Sequence, residues 1–384
     1  MAGSKNDGLG GHNMGEETIH QITPSDTQEL KRFVCMERKL LGVYPLYVSN
    51  FDTDVIRNLS GKSAYTRKMD ISLFIASDGD RDVARCASFI NPEYQEAKNE
   101  KVGFIGYFAA ASGCECIVAA MLERAEGWLK ERGIKRVISP YNGSALLGMG
   151  FFIAGFDEES VTTFGWNPPY YAAYLTQVGY HPAYPLWVYA FDFSSVKYIS
   201  AKERLATKHD FQVRPINKKR WETDLEIFRQ VINETFTQEW EWHPVTSDEF
   251  LEFFESMKPM VDPQQMVIAE VQGKAVGICI GIPDWNPFIR GLQGKSGIVQ
   301  KIQFLFQGGR YKSAGILFVA VRSEYRGRGI GPVLELAVLN RYEELGLKKA
   351  FIYTINEDNL ASRKIAESIG GVARLLYQAY DKII

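Results

Sequence analysis

Apolar positions recur along this chain with two periods, and the alternation between them predicts helices and strands in turn. Residues 27–41 carry the 3.6-residue spacing of a helix, whereas 70–76 and 83–90 are β-rich runs joined by Asp78, Gly79 and Asp80. A third strand is expected at 102–108. Val118, Met121, Leu122, Ala125, Trp128 and Leu129 then mark one face of a helix that stops at Gly133, and 135–139 returns as a strand. Residues 142–156 are rich in glycine and apolar side chains. Trp166, Asn167, Pro168 and Pro169 fix the approach to another helix, and 185–193 reads as a closing strand. A polar stretch with a short helix, 196–210, follows as a linker. The pattern then restarts with a strand at 213–216, a helix at 221–235, and a hairpin of 266–271 with 275–282 around Gln272 and Gly273. After a long excursion with apolar clusters at 298–306 come a strand at 315–321, a helix whose apolar face is Leu334, Val338, Tyr342 and Leu345, a strand at 350–355, a helix at 362–369 and a strand at 375–380.

The two halves echo each other. Gly133 to Val137 stands against Gly346 to Ala350, and at the same offset 102–108 falls on 315–321. That single offset sets Gly113, Cys116 and Val118 where Arg326, Gly329 and Gly331 lie. The first half has no arginine there and adds Glu115, so an anion site does not survive the exchange. The expected division is a disordered tail at 1–18, a first domain at 19–195, the linker at 196–210 and a second domain at 211–384.

Composition narrows the class. The chain has 384 residues with 46% hydrophobic and 23% charged side chains and a formal net charge of −2, so bulk attraction to nucleic acid is not expected. Five scattered cysteines lack disulfide or zinc-site spacing, which suggests a reducing compartment and no metal. No apolar run reaches the roughly 20 residues of a membrane helix. The expected location is cytoplasmic, peripheral to a membrane if the substrate is a lipid.

Chemistry concentrates in one stretch. The strand at 315–321 runs into Tyr325, Arg326, Gly327, Arg328, Gly329, Ile330 and Gly331, with Pro332 opening a helix. Unpaired N–H groups at a helix N-terminus carry partial positive charge, glycines admit close approach of a phosphate, and arginines add charge. This stretch resembles the pyrophosphate-binding motif of the GCN5-related N-acetyltransferases, the GNAT superfamily. The first half adds Gly103 to Phe108, Gly155 to Asp157 and Asn167 to Tyr171, and the second adds Pro283, Asp284 and Asn286. Together they resemble a tandem, two-domain branch that includes bacterial ceramide-synthase-like proteins. The implied fold class is α/β: two GNAT-like domains, each a mixed, mostly antiparallel sheet flanked by helices, the N-terminal one degenerate.

The resemblance implies an acyltransferase in which acyl-CoA, acetyl or longer, is the donor and a primary amine attacks the thioester. Arg326, Gly327, Arg328, Gly329, Ile330 and Gly331 would hold the diphosphate, Val319 and Val321 would offer main-chain groups to the pantetheine, and Asn359 and Ser362 would flank it. Asn359 also suits a helix N-cap. Where many relatives carry a tyrosine acid this chain has Ala366, which leaves water, Tyr353 or no specific group to protonate the thiolate. Glu241 and His243, between Trp240 and Pro244, are the candidates for a base. The acceptor is expected to be a small-molecule or lipid amine, with a long-chain amino lipid preferred over an amino acid or natural-product amine. A non-catalytic acyl-CoA-binding scaffold is the competing class. An acyl carrier protein as donor would use a basic patch of Lys348, Lys349, Arg363 and Lys364, and the chain would act as a monomer or homodimer.

Overall fold

The computed structural model describes residues 17–205, 209–237, 239–255, 257–258, 261–295, 297 and 311–384. The apolar clusters at 298–306 lie outside the described residues. In the first half the strands are β1 (Glu17–Ile22), β2 (Asp70–Asp78), β3 (Arg81–Ile90), β4 (Val102–Ala110), β5 (Arg136–Ser139), β6 (Phe151–Ala154) and β7 (His181–Asp192). Its helices are α1 (Thr27–Leu41), α2 (Asp52–Leu59), α3 (Pro92–Lys98), α4 (Glu115–Lys130), α5 (Tyr171–Gln177) and α6 (Val196–Leu205). The second half contributes β8 (Gln212–Pro215), β9 (Met266–Val271), β10 (Lys274–Pro283), β11 (Ser313–Val321), β12 (Lys349–Asn356) and β13 (Val372–Ile383). Its helices are α7 (Trp221–Thr235), α8 (Ser247–Glu255), α9 (Asn286–Leu292), α10 (Ile330–Glu344) and α11 (Leu360–Ser368).

Local signals account for many boundaries. Asp26 caps α1 by accepting from the N–H groups of Gln28 and Glu29 at 3.0 and 3.1 Å. Gly133 and Gly346 follow α4 and α10 at φ +76° and +77°, where a side chain would be strained. The expected linker falls on α6 and the turn into β8. All nine residues of β4 are buried, as a strand covered on both faces requires.

The strands form one sheet in the order β1-β2-β3-β4-β5-β13-β7-β12-β11-β10-β9-β8, with β6 paired to β13. The closing strands are exchanged: β7 pairs with β12 and β13, while β13 pairs with β5, β6 and β7. Each half is therefore completed by the last strand of the other. Periodicity predicts that a strand exists, not which edge it joins, so this exchange was invisible in the sequence.

The parallel pairs fix how the halves correspond. Val102 pairs with Arg136 as Ser313 pairs with Lys349, so the strand equivalence lies two residues from the single offset. Residues 111–114 connect β4 to α4, whereas 322–329 connect β11 to α10. Gly113, Cys116 and Val118 therefore do not occupy the places of Arg326, Gly329 and Gly331, because the first half lacks half of the turn. Both parallel pairs also diverge early, β4–β5 after Phe104 and Ile138, and β11–β12 after Ile316 and Ile352. In the first half the gap is filled: the Tyr141 N–H donates to the Ile105 carbonyl at 2.9 Å and the Tyr107 N–H to Asn142 Oδ1 at 2.8 Å. A Cβ on Gly106 would stand 2.4 Å from the Tyr141 carbonyl oxygen. The second gap stays open and lines a cavity.

Candidate active site

A cavity of about 550 Å³ runs from the turn before α10, through the open angle between β11 and β12, to the junction of the two halves. Tyr325, Arg326, Gly327, Gly329, Ile330 and Gly331 line its outer end. Gly327 and Gly329 adopt φ +80° and +77°, and a Cβ on either would meet nothing within 4 Å. The turn thus presents bare backbone to the cavity. Among the described residues the N–H groups of Gly327, Arg328 and Gly329 donate to no protein acceptor, and the first turn of α10 adds the unpaired donors common to helix starts. These residues suit a diphosphate.

The arginines differ. Arg326 donates Nε to the Val321 carbonyl at 3.2 Å, and its terminal nitrogens pair with no side chain among the described residues. Arg328 lies over the Tyr325 ring at 5.3 Å and pairs with Asp210 on the surface, outside the cavity lining.

Residues 317–321 of β11 have no strand partner on the β12 side, so Val319 and Val321 sit half-buried on an open edge of the cavity. Asn359 caps α11, accepting from the Ser362 N–H at 3.1 Å, while its Nδ2 donates to Glu239 Oε1 at 3.4 Å. Ser362 and Ile365 face the cavity; Ala366 faces the core beside Ile369. Tyr353 lines the cavity with its hydroxyl buried and without a partner, and burial holds its pKa well above the usual phenol range. It is a neutral O–H donor.

Glu241 and His243 do not line the cavity. Glu241 sits at φ +53°, which turns its side chain toward Arg136, 2.8 Å away. Burial and Asp381 push its carboxyl up to about 7; the ion pair acts the other way and favours the carboxylate. His243 is buried, its Nε2 3.4 Å from Asn91 Nδ2 and its Nδ1 unpartnered. Burial lowers its pKa to about 4. These two read as a base from sequence because the tryptophans around them promised desolvation; the chain turn sends them into packing instead.

His243 carries a stability consequence. Its folded pKa of about 4 lies below the unfolded 6.5, so the unfolded chain binds the extra proton between those values. His243 burial costs nothing above the unfolded pKa, and stability falls as pH drops toward the folded one, by up to about 3 kcal/mol. Denaturant titrations at several pH values should show this acid limb in wild type and a flatter one in His243→Phe.

The segment's contribution to the cavity is Glu239, missed in the sequence though only two residues away. Its carboxyl lines the cavity near Asn359 and Tyr184, and burial raises its pKa. Trp240 stacks on Tyr184 with ring centroids 4.3 Å apart. At the inner end Phe236, Trp242 and Phe318 pack together, and Ala145, Leu146, Met149, Phe164 and Leu186 come from the first half. None of the basic residues Lys348, Lys349, Arg363 and Lys364 lines the cavity: Lys349 opens β12 and pairs with Glu158, and Arg363 donates to the Tyr189 hydroxyl and the Glu357 carbonyl.

Residues 225–370 match the model of the acetyltransferase (GNAT) family. The second half thus carries a GNAT domain. It is 25% identical over 369 residues to the bacterial ceramide synthase of Caulobacter vibrioides, covering 93% of this chain and 95% of that one. It is 24% identical over 364 residues to protein YghO of Escherichia coli K12, covering 93% of each. Among solved structures, a tandem GNAT protein of the clavulanic acid biosynthesis pathway superposes with a TM-score of 0.57 at 12% identity, covering 96% of this chain and 98% of that one. A GCN5-related N-acetyltransferase from Sphaerobacter thermophilus gives 0.52 at 16% identity, covering 96% and 95%. The family takes acyl-CoA donors, and the open turn and strand gap lie in the GNAT half. Among the described residues no His, Cys, Asp and Glu cluster is placed to hold a metal, and no helix is long and apolar enough to cross a membrane.

Proposed function

We propose that this GNAT protein transfers an acyl group from acyl-CoA to a primary amine by direct attack on the thioester. The observation that carries the reading is the continuity of one cavity from the glycine turn, through the strand gap, to an aromatic end between the halves. Arg326 and the N–H groups of Gly327, Arg328, Gly329, Ile330 and Gly331 hold the diphosphate. The open edge at Val319 and Val321, with Asn359 and Ser362 opposite, holds the pantetheine. The donor supplies the activated carbonyl; the protein supplies position and proton transfer.

Glu239 takes the proton from the attacking amine, a role its raised pKa suits better than that of an ordinary surface carboxylate. As the C–N bond forms and the C–S bond breaks, the thiolate takes a proton from the Tyr353 hydroxyl or from water. Glu241 and His243 keep structural roles.

The acceptor enters at the aromatic end, where Tyr184, Trp240, Phe164 and Leu186 offer apolar surface. With the ceramide-synthase likeness, this favours a long-chain amino lipid over an amino acid or a natural-product amine. Competition among amines, with palmitoyl-CoA and then acetyl-CoA as donor, tests the choice. A sphingoid base outcompeting glycine and small polyamines supports it; the reverse order moves the acceptor to small metabolites.

A further inference from the structure

Glu335 lies on α10, one turn beyond Gly331 on the same helix face, about 6 Å further along the axis. Its neighbours Leu334, Leu336, Val338 and Leu339 are all buried, so the face of the helix that carries Glu335 offers little water to a charge. The side chain is 1% exposed and lines the cavity, and its Oε2 has no hydrogen-bond partner among the described residues. Burial first, and then the neighbouring Glu335, raise the pKa of the Cys279 thiol, and Cys279 pairs across the sheet with Val319. Glu335 is thereby level with the middle of the open edge at 317–321, between the glycine turn and Tyr353.

We propose that Glu335 is a positioning residue for the acyl donor, its carboxylic acid hydrogen-bonding an amide of the pantetheine arm in the gap between β11 and β12. The inference rests on the acyl-CoA reading above. Burial pushes the carboxyl up to about 8, so near neutrality it is uncharged. A neutral acid offers one O–H donor and one carbonyl acceptor, which match the C=O and N–H of an amide and refuse an ion. Leaving a buried oxygen unsatisfied costs stability unless a ligand satisfies it. A leucine at this position would pack with its neighbours and lose that function.

The test compares wild type, Glu335→Leu and Glu335→Gln in full-length protein by calorimetric titration with CoA and with adenosine bisphosphate, which lacks the arm. Glu335→Leu is expected to weaken CoA by about tenfold, to leave the bisphosphate unchanged and to raise the melting temperature of the free protein. Glu335→Gln, which keeps a donor and an acceptor, should bind CoA within about threefold of wild type. Equal loss of both ligands in Glu335→Leu, or equal loss of CoA in both variants, overturns the proposal. Wild type binding CoA with Glu335→Leu binding it as well overturns the role of Glu335 alone. Failure of wild type to bind CoA overturns the donor reading, and this one with it.

Discussion

Gly331→Glu is expected to abolish acyl-CoA binding while leaving the fold intact. A Cβ at Gly331 would stand 3.7 Å from Ile365 Cδ1 and 3.9 Å from Val321 Cγ2, both ordinary contacts, so the helix start tolerates a side chain. A carboxylate in the first turn of α10 is itself favoured by the helix dipole. The cost falls on the ligand: the new charge occupies the seat that the bare N–H groups and Arg326 otherwise offer to a diphosphate. Juxtaposed like charges cost several kcal/mol, so affinity should drop by about 100-fold or more. Calorimetry measures the loss, and an unchanged melting curve shows that it is local. Full-strength binding by the variant would move the donor site elsewhere.

Glu239→Gln carries the second large effect. Removing a general base costs about 10²–10⁴-fold in turnover, and because the glutamine keeps the shape and an acceptor for Asn359, donor affinity should hold. The pH profile adds a signature. A base works when deprotonated, so the wild-type rate rises with pH through the raised pKa of Glu239, and that limb disappears in the variant. Glu241→Gln should behave oppositely: it weakens the pair with Arg136 and lowers stability, with little effect on rate. Retained turnover in Glu239→Gln would return the base to solvent.

Much of this fold was legible because local signals dominate it. The helices at 27–41 and 221–235 appear with the bounds that apolar periodicity gives, and the 266–282 hairpin turns at Gln272 and Gly273 as their chemistry demands. The glycine turn between β11 and α10 was legible too, since glycines at positive φ between a strand and a helix declare themselves in sequence. What stayed hidden depends on long-range register. The exchange of β7 and β13 joins residues far apart in the chain, and no pattern within either strand names its neighbour. The direction of the 239–243 segment turns on one residue, Glu241, in the left-handed region, an uncommon place for a glutamate. Glu335 was hidden for another reason: charged residues on a helix ordinarily face water, and here the all-apolar surroundings mattered more than the residue type.

The most direct measurement of the central claim is thiol release from palmitoyl-CoA by the wild-type protein, with and without a sphingoid base, alongside quantification of the amide. Thiol appearing only when the amine is present, in equal amount to the amide, is the result expected of direct transfer. Tight binding of the donor with no thiol from this or any other amine would contradict it.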